Sequence, residues 1–161
     1  MKVLQTLVGW LVPAIEHGRT IRPCPEPRRR LVMAEYERSA TVHATPAATY
    51  EYLADPRHMP EYVATMTQAQ RSDRAHLHVT AEVEGRHEEG DAMFRSDPSS
   101  RRLEWGREGH AYRGWLTVAG DNGSTSTVTI HLETHDELDR AAVELALDAT
   151  IANIQHSLSN R

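Results

Sequence analysis

The side chains that could move a proton or polarise a carbonyl in this chain are Glu88, His110, Tyr112 and Arg38. A carboxylate or imidazole held against a substrate can act as general acid or base. A phenol or guanidinium can steady the oxyanion that develops opposite it. Glu88 and His110 are therefore the candidate catalytic residues, with Tyr112 and Arg38 as candidate carbonyl stabilisers. The plainer reading puts each charge near a strand end with its head in solvent, because burying it unpaired is costly. A polar rim that orients a bound ligand lies between the two, and ligand binding is favoured over catalysis.

The ten histidines form no metal pattern. Alternation sets His76 and His78 on the outer face of a strand, His131 and His135 straddle a strand end, and no H-E-x-x-H occurs. The sequence also lacks G-x-S-x-G, a phosphate-cradling glycine loop and a dinucleotide fingerprint, so no cofactor is expected. Cys24 is the single cysteine, which rules out an internal disulfide and gives no sign of an oxidising compartment; the cytoplasm is the expected location. A net charge of −5 and a pI near 6.0 leave no basic footprint for nucleic acid, despite "RRR" at 28–30.

Aromatic residues are scarce, with three Trp, five Tyr and one Phe, yet "EWGREGHAYRGW" at 104–115 gathers three rings. A turn at Glu108-Gly109 would face Trp105 with Tyr112 and Leu103 with Gly114. That face continues into Leu116, Val118, Val128, Ile130 and Leu132. Trp115 falls on the opposite face, across from Arg102, where stacking under the guanidinium accounts for it. Trp105 and Tyr112 are thus interior, either as packing against a helix or as the lining of a cavity. Gly114 tilts the reading towards a cavity, because a missing side chain beside two large rings leaves room. The candidate ligand-binding residues are Arg38, Leu103, Trp105, Tyr112, Gly114 and Leu116.

These positions need elements to hold them. "AEYERSATVHA" alternates as a strand, with Arg38 on the face of Ala40 and Val42. Thr45-Pro46 supplies the cap and first-turn proline of a helix through "AATYEYLAD", and "RHMPEYV" reads as a second, shorter helix. About six antiparallel strands follow. A turn near Gly85-Arg86 pairs Glu88 with Val83. A three-residue "DNG" loop pairs Leu116 with Val128 and Gly114 with Ile130. The chain closes in a long helix from about residue 136 to 158. Its apolar stripe of Leu138, Ala142, Leu145, Ala149 and Ala152 is widened by Val143, Leu147, Ile151, Ile154 and Leu158.

The length of 161 residues fits one domain over 34–161, preceded by a leader of residues 1–33. The leader's apolar stretch from Val3 to Ile15 is too short to span a bilayer and is interrupted by Pro13, so no membrane span is expected. Leu4, Leu7, Val8, Leu11 and Ile15 fit a short amphipathic helix, and "RPCPEPRRR" an extended linker. Translation starting at Met33 is the alternative. Hydrophobic residues amount to 39%, little for a compact globule, and a hollow fold or a thin core would explain it.

The pieces "ERSATVHATPAATYEYLADPRHMPEYV", "GDAMFRSDPSSRRLEW" and "YRGWLTVAGDNGSTSTVTIHL", with the closing helix, resemble the START-like (SRPBCC) superfamily. Within it, the nearest likeness is to the polyketide cyclase/dehydrase and lipid-transport group. The resemblance covers residues 35 to 158, and Tyr62 stands where many relatives carry Trp. It implies an α+β helix-grip fold, with a curved antiparallel sheet around the long C-terminal helix and two short helices after the first strand. It also implies a cavity for apolar or amphipathic small molecules. A carrier or sensor of a hydrophobic small molecule is the first expectation, since fold does not fix function. A cyclase or dehydratase using acid–base chemistry in the same cavity is the second. A protein-interaction module with a collapsed interior is the third.

Overall fold

In the first strand, β1 (Met33–Val42), the sequence alternates and burial alternates with it: Tyr36 and Val42 are buried while Glu35, Glu37, Ser39 and Thr41 are exposed. The computed structural model describes residues 33–83, 85–107, 112–120, 123–135 and 140–159. Residues 1–32 of the leader therefore lie outside the described residues, as do His110 and the Glu108-Gly109 turn, while Met33 opens β1.

Helix α1 (Pro46–Ala54) starts as its sequence dictates, with Pro46 in the first turn and the Thr45 hydroxyl accepting from the Ala48 N–H at 3.2 Å. Asp55 ends it and caps a short 3₁₀ turn (Pro56–His58) through the Arg57 N–H. Helix α2 (Met59–Tyr62) follows. The corner is fixed by the Tyr62 hydroxyl donating to Leu53 O at 3.1 Å and by Tyr52 stacking on His58, with ring centroids 4.4 Å apart.

Six more strands complete the sheet: β2 (Met66–Arg71), β3 (His76–Val83), β4 (Arg86–Asp97), β5 (Arg102–Gly106), β6 (Arg113–Ala119) and β7 (Ser126–His135). Their order is β1-β7-β6-β5-β4-β3-β2, antiparallel throughout. Helix α3 (Arg140–Ser159) buries Val143, Leu147, Ile151, Ile154 and Leu158 against the inner face. This is the α+β helix-grip arrangement that the sequence led us to expect. β1 and β2 are the two free ends of the sheet, and the gap between them is bridged by helices: α2 packs on β2, α3 on α2 and on β1.

Three expected registers are displaced by two residues. Trp105 lies opposite Gly114 rather than Tyr112, and Leu103 opposite Leu116 rather than Gly114. Leu116 pairs with Ile130 rather than Val128, which instead meets Val118, and Gly114 pairs with Leu132. Glu88 faces Ala81, with Arg86 on Val83. Arg102 faces Thr117, although its guanidinium still covers the Trp115 ring at 4.7 Å. Because side chains repeat every second residue, a slip of two leaves each on its expected face.

Candidate functional site

Between α3 and the sheet lies a cavity of about 80 Å³. Leu103, Leu116, Ile130 and Leu132 supply its sheet side, and Leu147, Thr150 and Ile154 its helix side. Met59, Tyr62 and Val63 close one end from the α1–α2 corner. Met66, Leu77, Met93 and Phe94 enter from β2 to β4, and Trp105 and Tyr112 flank the hairpin between β5 and β6. Most positions follow from the chain: alternation turns the strand residues inward, Met93 beside the inward Phe94 being the exception, while Leu147, Thr150 and Ile154 recur at helical spacing on one face of α3.

Two hydroxyls of this lining are turned back into the protein. Tyr62 donates to Leu53 O, and the Thr150 hydroxyl donates to Ala146 O at 2.9 Å within its own helix. Tyr112 and the Trp105 side chain border the cavity together. Burial drives the Tyr62 and Tyr112 phenols well above their ordinary range, the neighbouring Trp105 opposing this in part at Tyr112. Both are neutral at neutral pH. Among the described residues the lining has no carboxylate, imidazole, guanidinium or ammonium.

Leu103, Trp105, Tyr112 and Leu116 come together at the cavity as their pattern suggested. Gly114 does not line it. The Trp105 indole lies across Gly114, so that a Cβ there would sit 2.5 Å from Cε2 and Cζ2; the room the glycine leaves is taken by the ring. Arg38 also stands apart. It is on the inner face, but at the sheet edge, where Nε donates to Asp148 Oδ1 of α3 at 2.6 Å and a second nitrogen lies 3.7 Å from Glu144. Its role there is to tie β1 to α3. Glu88 is half-buried opposite Ala81 on the inner face, outside the lining. His110 lies outside the described residues.

The residues that sequence reasoning missed are those of the α1–α2 corner, of α3 and of the methionines. Leu147 and Ile154 were visible as part of the apolar stripe, but a stripe shows that a face is covered, not that it borders a void. Met59, Met66 and Met93 carried no signal, since an isolated Met reads as ordinary core.

On the outer face, Trp115 stacks on His131 with centroids 3.9 Å apart. His76, His78, His87 and His131 stand beside carboxylates, as His78 Nδ1 does beside Asp91 at 3.0 Å, and no group of three His, Cys, Asp or Glu among the described residues could hold a metal ion. No described helix is long and apolar enough to cross a membrane.

Residues 33–160 match the family described as polyketide cyclase / dehydrase and lipid transport. The chain belongs to that family. Among curated proteins, none matches its sequence. Among solved structures, the fold is similar to the Zhui aromatase/cyclase from Streptomyces sp. R1128, with a TM-score of 0.67 and 13% identity over 81% of this chain and 96% of that one. A START superfamily protein from Mycobacterium smegmatis gives a TM-score of 0.67 at 8% identity, covering 78% and 97%. The di-domain ARO/CYC BexL from the BE-7585A biosynthetic pathway gives 0.61 at 19% identity over 76% of this chain, which spans 45% of BexL. At these identities the likeness is one of fold. The family thus places this chain on a START-type ligand-binding scaffold.

Proposed function

We propose that the domain is a non-catalytic carrier or sensor of a hydrophobic small molecule held between α3 and the sheet. The observation that carries this reading is the lining itself: apolar side chains, with the Tyr62 and Thr150 hydroxyls already hydrogen-bonded within the protein. Such a surface binds by exclusion of water and by contact, and none of its described residues is poised to take up or deliver a proton near neutral pH. A cyclase or dehydratase would need one. Glu88 stands outside the lining, so that reading draws its support from the family description rather than from the cavity. The open cavity also speaks against an interaction module with a collapsed interior.

Titration with an apolar ligand is expected to change tryptophan emission saturably, with the ligand-dependent part lost in Trp105→Phe. Glu88→Gln should leave affinity unchanged, and poly-β-ketone mimics should not be turned over. Turnover that falls in Glu88→Gln while affinity holds would overturn the carrier reading in favour of the cyclase.

A further inference from the structure

We infer that the cavity selects an uncharged, polarisable ring compound of one or two rings, an inference that rests on the carrier reading above. Charge is the first discriminator. A carboxylate or ammonium entering this lining would give up its hydration with no opposite charge among the described lining residues to replace it. A guest carbonyl fares little better, because the protons of the Tyr62 and Thr150 hydroxyls are already donated to Leu53 O and Ala146 O. A new bond would have to compete with one already made.

Size is the second discriminator. A cavity of about 80 Å³, at ~10–15 Å³ for each enclosed water, holds the equivalent of about five to eight waters. That suits a compact guest of one or two fused rings.

Softness and shape are the third. The thioethers of Met59, Met66 and Met93 share the space with the rings of Phe94, Trp105 and Tyr112. Sulfur meets aromatic edges favourably, and ring pairs gain beyond the area they bury. An alkyl chain of equal carbon number gains neither, and loses rotamer freedom on confinement that a rigid ring never had.

Calorimetric titration of the full chain at neutral pH with naphthalene, 2-naphthoate and n-decane tests this. Naphthalene is expected to bind at a single site, 2-naphthoate at least about tenfold more weakly, and n-decane more weakly than naphthalene. Replacing Met66→Leu and Met93→Leu together keeps volume and removes sulfur. It should weaken naphthalene by about threefold and n-decane by less. Naphthoate equal to naphthalene, or n-decane tighter than it, would overturn the inference. If n-decane binds and naphthalene does not, the carrier reading stands and the ring preference falls. If none of the three binds, the carrier reading falls with it.

Discussion

At the scale of single residues, Gly114 and Trp105 are one unit. The indole lies where a side chain on residue 114 would go, its Cε2 and Cζ2 only 2.5 Å from the position of a Cβ. Any substitution there must push the ring towards the cavity or out of it. Gly114→Leu is therefore expected to cost about 1–3 kcal/mol through overpacking, even though a cavity lies beyond the ring. The smaller penalty of Gly114→Ala should shrink in a Trp105→Phe background, because the shared contact makes the two changes non-additive. Urea melts of the four proteins in that cycle would measure the coupling, and strict additivity would show that the ring does not press on residue 114. The inward faces of Leu103, Trp105, Tyr112 and Leu116 could be read from alternation. The filling of the space at Gly114 could not, because a period of two tells which side a residue faces and nothing about which neighbour leans over it.

At the scale of elements, α3 is fastened to β1 by Arg38 with Asp148 and Glu144, and by Gln155 donating to Thr41 O at 2.9 Å. It is fastened to α2 by Asn153 donating to Tyr62 O at 3.3 Å. The Arg38 side chain is 33% exposed and Asp148 57%, so water screens the pair. Arg38→Met is expected to lower stability by less than about 1 kcal/mol and to leave ligand affinity unchanged. Thermal melts and a ligand titration of the variant would check both, and a loss of affinity would return Arg38 to the binding site. The order of elements was legible because caps, prolines and the change of period from 2 to 3.6 are local. Thr45-Pro46 is the clearest case; in α3 the helical period was legible but the covered face is that of Ala142, Val143, Leu147, Ile151, Ile154 and Leu158, while Leu145, Ala149 and Ala152 of the expected stripe are exposed. The hairpin registers were not, since Trp105 opposite Tyr112 and Trp105 opposite Gly114 satisfy the same alternation, and loop geometry chooses between them.

At the scale of the whole molecule, titration bounds the pH range of the fold. Arg57 hydrogen-bonded to Asp55 lowers that carboxyl to about 2, and Ser99 and Ser100 donating to Asp97 do the same there. Depressed carboxyls stabilise the fold above the unfolded value, near 4, and lose that contribution as pH falls towards 2. The buried phenols of Tyr62 and Tyr112 act with the opposite sign. Their contribution is whole below about pH 10 and is lost above it, where the unfolded chain sheds protons that the folded one keeps. The urea midpoint is expected to fall on both flanks. Asp55→Asn should flatten the acid one and Tyr112→Phe the alkaline one, and an unchanged acid flank in Asp55→Asn would show that carboxyl to be uncoupled from folding. The same whole-molecule view bears on the seam between β1 and β2, which helices bridge and no strand pairing closes. A guest leaving through that seam parts α2 from α3, breaking apolar contacts and few hydrogen bonds, while every rung of the sheet stays made. On the carrier reading, dwell time would thereby be uncoupled from global stability: release would be fast while amide exchange along β4 to β6 stayed slow.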